Sequence, residues 1–112
     1  MPMTIGDNYY ISAGETLLIS KTAKREDGSS IADIKAATLA IEQGITVLQR
    51  ECVVVGTNVS YVLESEDTIG MFGDYRYIVM VEEYDGTMTR IALGKIEVQT
   101  SPMYGASGGL VI

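Results

Sequence analysis

The sequence predicts a single all-β domain, an antiparallel β-sandwich of about seven strands followed by a flexible C-terminal tail. Two observations carry this prediction: apolar residues alternate with polar ones along most of the chain, and turn-forming dipeptides separate the alternating runs. Short alternating strands between regular turns are typical of sandwiches. A chain of 112 residues, 46% of them hydrophobic, is long enough for one such core. The turn signals are Asp27-Gly28, Gln43-Gly44, Thr57-Asn58 and Asp85-Gly86.

The predicted strands follow one another in chain order, and each is defined by its apolar stripe. The clearest stripe comes late in the chain and consists of Tyr75, Tyr77, Val79 and Val81. A final strand follows the Asp85-Gly86 turn and runs to Gln99. The earlier apolar sets are Leu17 and Ile19; Ala37, Leu39 and Ile41; Ile45 and Val47; Cys52 to Val55; and Val59, Tyr61 and Leu63.

The last strand contains a change of parity that predicts a β-bulge. Ile91 and Leu93 share one face of a regular strand, whereas Ile96 and Val98 lie on the other. One extra residue at Gly94-Lys95 brings both pairs to the core side, which is what a bulge does. We therefore expect a bulged strand.

Helical segments are short in this sequence. Residues 29–35 can form one turn, and Ser65-Glu66-Asp67-Thr68 reads as a capped single turn. Neither segment is long enough to define an architecture.

The composition divides the chain into an N-terminal leader (1–8), the sandwich (9–99) and a Gly/Ser-rich tail (100–112). The tail ends in Leu110, Val111 and Ile112, which together with Tyr104 form a candidate assembly contact. An apolar end on such a tether can add a strand to a neighbour's open sheet edge. A disordered C-terminus is the alternative, and the sequence leaves both open.

Charge and residue usage exclude several classes of function. Eight basic against fifteen acidic residues give a net charge of −7, which disfavours binding to nucleic acid and to anionic membranes. The absence of histidine removes the commonest general base and metal ligand. The start of the chain lacks the features of a secretory signal, and no apolar run reaches the ~18 residues of a membrane-spanning helix. We therefore expect a cytoplasmic site of synthesis.

The residues that could carry chemistry point to no enzyme. We nominate no catalytic residue, metal ligand or cofactor site, because nothing singles out one pair among the fifteen carboxylates. Cys52 begins a β-branched run and is interpreted as a buried small hydrophobe rather than a reactive thiol. The carboxylates form two local groups that lack the spacing of a calcium loop and read as solvated strand ends, namely Glu64, Glu66 and Asp67, and Glu82, Glu83 and Asp85.

The seven tyrosines have two interpretations. Tyr75 and Tyr77 lie on the most regular stripe and are expected in the core. Tyrosines at segment ends, among them Tyr84 and the Tyr9-Tyr10 pair, could instead contact a partner.

Three stretches of the chain, taken in order, resemble the small immunoglobulin-like domain at the N-terminus of bacteriophage baseplate upper proteins and of related phage accessory proteins. In this resemblance Tyr75, two residues after Gly73, matches the corner tyrosine whose hydroxyl ties a crossing loop to the sheet. The Cys-Trp-Cys core of antibody domains is absent, so the resemblance is to disulfide-free members. The stretches are Gly14-Glu15-Thr16-Leu17 leading to Glu26-Asp27-Gly28; residues 34–41; and Gly73-Asp74-Tyr75-Arg76-Tyr77, followed by Asp85-Gly86 and Gly94-Lys95-Ile96-Glu97-Val98.

The resemblance implies an immunoglobulin-like sandwich that serves as a non-enzymatic structural component of a virion, assembled in the host bacterial cytoplasm. Its partners would be other virion proteins and copies of itself, as a capsid decoration, neck, collar, tail or baseplate accessory protein. Baseplate upper proteins continue into further domains, whereas this sequence extends only about a dozen residues past the sandwich. The alternative is a sandwich that binds carbohydrate or a cell surface through exposed tyrosines.

Overall fold

The computed structural model describes residues 3–100 and folds them into two β-sheets that enclose one hydrophobic core. The elements are β1 (Met3–Ile5), β2 (Asn8–Ser12), β3 (Leu17–Thr22), β4 (Ile34–Gln43), β5 (Ile45–Glu51), β6 (Val53–Val55), β7 (Asn58–Leu63), α1 (Ser65–Thr68), β8 (Gly73–Glu83) and β9 (Met88–Gln99). One sheet has the strand order β1-β2-β9-β8-β4-β5, and the other has the order β3-β7-β6. The predicted all-β sandwich is therefore confirmed. Two of the nine strands found in residues 3–100, β1 and β6, are only three residues long, and β1 lies within the segment predicted as a leader.

The core follows the alternation that the sequence displays. On β8 the stripe Tyr75, Tyr77, Val79 and Val81 is buried, and the residues between them are more exposed. The same core contains Leu39 and Ile41 of β4, the neighbour of β8 in its sheet. It also contains Val59 and Leu63 of β7, in the other sheet. Among the residues described, no helix is long and apolar enough to cross a membrane.

One strand pair departs from antiparallel geometry. β2 runs parallel to β9, with Tyr9 opposite Ile96 and Ser12 opposite Gln99. The other described pairs are antiparallel. This parallel pair places β2, near the start of the chain, beside β9, the last strand.

Tyr75 makes the contact expected of a corner tyrosine. Its hydroxyl accepts a hydrogen bond of 3.0 Å from the backbone N–H of Phe72, in the connection that leads from α1 into β8. Gln43 supports the same connection by donating from Nε2 to the carbonyl oxygens of Phe72 and Asp74. Gly73 lies between them with φ +95°, a conformation that favours glycine.

The β-bulge of the last strand is real, but its predicted position is wrong. Val79 pairs with Ala92 and Met80 pairs with Arg90, so the extra residue is Ile91 rather than Gly94 or Lys95. Strict alternation then continues to Val98, which buries Ile96 and Val98 but leaves Leu93 exposed. The reason is Gly94, which occupies a core-facing position opposite Tyr77 and makes a second bulge unnecessary.

The two predicted helical turns have different outcomes. α1 is confirmed, and a capping box closes its N-terminus, where the backbone N–H of Glu64 donates to the carboxylate of Asp67 at 2.9 Å. Residues 29–35 form no helix. Asp27 accepts hydrogen bonds from both the backbone and the hydroxyl of Ser29, and Ile31 is buried with its N–H bonded to the carbonyl of Ala23.

The segment between β1 and β2 is fixed to the main sheet at Gly94. The hydroxyl of Tyr77 donates to the carbonyl oxygen of Asp7 at 2.6 Å, and the side-chain oxygen of Asn8 accepts from the N–H of Lys95 at 3.0 Å. The Tyr77 ring reaches Asp7 only because Gly94 has no side chain. A Cβ at Gly94 would lie 2.7 Å from Tyr77 Cε1 and would also collide with the Asp7 carbonyl.

Gly94→Ala is therefore expected to lower the free energy of unfolding by about 1–3 kcal/mol, because the added methyl forces Tyr77 and Asp7 apart. Gly70→Ala is the matched control, since a Cβ there meets nothing within 4 Å; it should change the free energy by less than about 1 kcal/mol. Urea unfolding followed by tyrosine fluorescence measures both. Equal stability of the two variants would contradict the packing at Gly94.

Candidate interaction surface

The charged side chains of the described residues lie at the surface, and twelve of them form six ion pairs. The shortest contact joins Arg76 to Glu42 at 2.6 Å, and Arg25 binds both oxygens of Glu83, at 2.8 and 3.1 Å. Exposed pairs of this kind contribute at most about 1 kcal/mol each to stability. The other four ion pairs among the described residues are Lys21–Asp7, Lys35–Glu82, Arg50–Asp67 and Lys95–Glu97.

Both carboxylate groups singled out in the sequence have structural partners. In the first, Asp67 caps α1 and faces Arg50. In the second, Asp85 accepts from the N–H of Thr87 at 2.9 Å, and this bond together with the Thr87 hydroxyl lowers the pKa of Asp85. A general acid requires a raised pKa. Within residues 3–100, no group of three or more His, Cys, Asp or Glu side chains is arranged to hold a metal ion.

Lys21 is the one described lysine whose ammonium lies over two core aromatic rings. Its Nζ lies 5.3 Å from the ring centre of Tyr9 and 5.6 Å from that of Tyr77, and the two rings are 5.4 Å apart. Burial on its own lowers the pKa of Lys21, but the hydroxyls of Tyr77 and Tyr9 hold that pKa above its usual value. A nucleophilic lysine needs a lowered pKa. Lys21 is therefore a fixed cation that fastens β3 to the opposite sheet.

Cys52 lies at the point where the chain passes from one sheet to the other. Its backbone N–H donates to the carbonyl of Ala37 at 2.9 Å, and the residue is 9% exposed. Burial raises the pKa of the thiol to about 11, and the charge of Glu51 adds to the shift. The interpretation of Cys52 as a buried small hydrophobe is confirmed.

The most exposed aromatic side chains of the described residues lie far apart. Tyr9, Tyr75 and Tyr77 are buried, as the stripe predicted for the last two. Tyr10 and Tyr61 are half-buried, and the exposed rings are those of Phe72 and Tyr84, which flank β8 at its two ends. Eleven strand residues separate them, a span of roughly 35 Å.

Exposed aliphatic side chains collect instead along a segment that we call the β5–β6 edge (Ile45–Val55). Here Ile45, Val47, Val53 and Val55 are between 47% and 75% exposed. Within the described chain, β5 pairs only with β4 and β6 pairs only with β7, so both strands have an open side. The chain thus presents one edge of each sheet in one continuous stretch.

The residues nominated from the sequence for assembly, Tyr104 and Leu110 to Ile112, lie outside the residues that the structure describes. The β5–β6 edge was not nominated. Its alternation identified Ile45 and Val47 as strand residues, but alternation does not distinguish an edge strand exposed on both faces from a strand that faces the core. One feature of the sequence did indicate exposed valines. The continuous run Val53-Val54-Val55 is too short for a strand buried on both faces.

No family model and no curated protein sequence matches the chain. A solved structure of the fibronectin(III)-like modules of CbhA from Clostridium thermocellum is similar to it, with a TM-score of 0.57. The identity is 16%, over 90% of this chain and 97% of that chain. A likeness at this identity shows the fold, an immunoglobulin-type sandwich.

The raised pKa of Cys52 predicts slow alkylation of the folded chain. Because the thiolate is the reacting form, a shift of the pKa from 9.0 to about 11 reduces the reactive fraction at pH 8 about a hundredfold. Iodoacetamide labelling followed by mass spectrometry should be at least that much slower in buffer than in urea.

The matched control carries Cys52→Ala together with Val53→Cys, which moves the thiol one residue onto the exposed side of β6. This variant should react at the rate of a free thiol. Fast labelling of the native chain would contradict the buried position of Cys52.

Proposed function

We propose that this protein is a non-enzymatic structural component of a bacteriophage particle that acts through protein–protein contacts, with the β5–β6 edge as one contact surface. The observation that carries the proposal is the exposure of four aliphatic side chains on strands whose outer hydrogen-bonding groups have no described partner. Natural sandwiches usually protect such strands with lysine, proline or a covering loop. An unprotected edge is suited to receive an extended segment of another protein.

The distribution of titratable groups supports a role without catalysis. Five of the six carboxylates singled out in the sequence act as caps, turn acceptors or ion-pair partners, and the lysine that contacts the core is held protonated. The chain is also similar in structure to fibronectin(III)-like modules, although the proposal itself depends on the exposed surface and not on the fold. The alternative of a carbohydrate-binding module finds no aromatic pair in the described surface to support it.

The resemblance of three stretches to phage accessory domains supports the part of the proposal that places the protein in a bacteriophage particle. In a particle with many copies, modest contacts add through multivalency, so no single surface needs to be large. The net charge of −7 would keep free subunits apart in the bacterial cytoplasm before assembly. The partners would be other virion proteins and further copies of this chain.

Ile45→Lys tests both the edge and the setting. The variant should fold normally because Ile45 is 75% exposed, but its incorporation into phage particles should fall at least about tenfold, because lysine blocks strand addition at the edge. The measurement is the ratio of this chain to the major structural protein in purified particles, by quantitative mass spectrometry.

Met88→Lys is the matched control, since Met88 is also exposed but lies at the start of β9, away from the edge. It should be incorporated like the native chain. Absence of the native chain from particles would overturn the proposed function. Normal incorporation of Ile45→Lys would overturn the role of the edge alone.

A further inference from the structure

Strand β5 of the β5–β6 edge has an uncharged half and a charged half. It begins with the uncharged residues 45–48 and ends with Arg50 and Glu51. Six of its seven residues are exposed, so among the described residues this strand is uncovered on both faces as well as along its open side. Charged side chains on an edge strand deter the addition of a further strand. Residues 45–48 are therefore the part of β5 that another strand can join most readily.

Strand β9 ends at the same end of the six-stranded sheet where β5 begins. Lys95 of β9 lies opposite Arg76 of β8. Arg76 in turn lies opposite Glu42 of β4, which lies opposite Thr46 of β5. Lys95 and Thr46 therefore share one row across the sheet, three strand spacings or about 14 Å apart. The last residue of β9, Gln99, lies four residues beyond Lys95 and about 13 Å past that row.

The segment that follows β9 is long enough to reach the open side of β5. A strand added there would lie one spacing further on, about 19 Å from β9. Combined with about 13 Å along the strands, this gives a distance of about 23 Å from Gln99 to a point beside Thr46. The ten residues 100–109 span up to about 33 Å when extended. Residues 110–112, which lie outside the described residues, can therefore reach β5 of the same copy.

The composition of residues 100–112 suits a place beside β5. All eight basic and fifteen acidic residues of the chain lie before this segment, so it carries no charged side chain. Leu110, Val111 and Ile112 are aliphatic, and side chains of this kind pair well across strands with the exposed Ile45 and Val47. A neutral segment also adds to the acidic domain without charge repulsion and without burying an unpaired charge.

We infer that in the free protein residues 110–112 pair with residues 45–48 of the same copy and cover this half of β5 until a partner displaces them. The tether holds residues 110–112 near β5 at an effective concentration of roughly 1 mM. The same segment of a second copy at micromolar concentration competes poorly, and the net charge of −7 on each copy adds repulsion.

A partner can still replace the covering segment. A strand that pairs with the whole length of β5 makes more backbone hydrogen bonds than three residues do, and it therefore binds the edge more strongly. The inference rests on the proposed function, to which it adds a means of keeping the edge closed before assembly.

Amide hydrogen exchange of the full free chain, followed by NMR, tests the inference. In an antiparallel pair, about half of the β5 amides point away from β4. These amides should exchange about tenfold more slowly in the native chain than in a variant that carries Leu110→Ser, Val111→Ser and Ile112→Ser, as expected for an edge that is covered about 90% of the time. The matched control carries Met103→Ser and Ala106→Ser, which make the same kind of change within the tether, and it should keep the native rates.

Each outcome decides the inference. Equal exchange rates in the native chain and the triple serine variant overturn it, as does a loss of protection in the control variant. Protection that increases with concentration between about 50 and 500 µM also overturns it, because the segment that covers β5 would then belong to a second copy. Protection that is constant over this range and is lost only in the triple serine variant supports it. These measurements use the free chain, so the proposed function is judged separately by the incorporation of Ile45→Lys into particles.

Discussion

The parallel pairing of β2 with β9 is the constraint on which the rest of the structure depends. It places β2, at the beginning of the sandwich, beside the last strand. The Asp7 backbone then lies close to Gly94 and to the ring of Tyr77, which is paired with Gly94. After β2 the chain passes to β3, which belongs to the second sheet. Lys21 on β3 then lies over Tyr9 and Tyr77 and holds the two sheets together at the same place.

The two sheets use their outward faces differently, although their inward faces are alike. Both bury branched aliphatic and aromatic residues at every second position. Outside, the larger sheet carries charges of both signs that pair across its strands, whereas the smaller sheet carries none in the rows that cross β3, β7 and β6. A core explains the first pattern, but it places no requirement on the second. The distribution of charge outside the core is therefore a feature of this molecule that core packing does not explain.

Much of the fold could be predicted from the sequence because burial and alternation coincide on the central strands. The β8 stripe was correct for that reason, whereas the turn at Ser65–Thr68 was correct because its capping residues lie within three positions of one another. The bulge was misplaced because Gly94 looked like an irregularity, whereas it is the position that admits the Tyr77 ring. The β5–β6 edge was missed because alternation identifies which residues share a face and says nothing about whether that face is covered. Both errors concern contacts between residues that are distant in sequence, such as Asp7 and Tyr77, for which one sequence contains no signal.

The parallel pair also determines how the domain responds to pulling. The chain enters β2 at one end of the pair and leaves β9 at the other, since Tyr9 lies opposite Ile96 and Ser12 opposite Gln99. Tension applied to the chain before β2 and after β9 therefore slides the two strands along each other. Their hydrogen bonds then bear the load together, whereas the bonds of a hairpin pulled at its open end break one after another. A sandwich closed in this way should therefore resist force applied between its two ends.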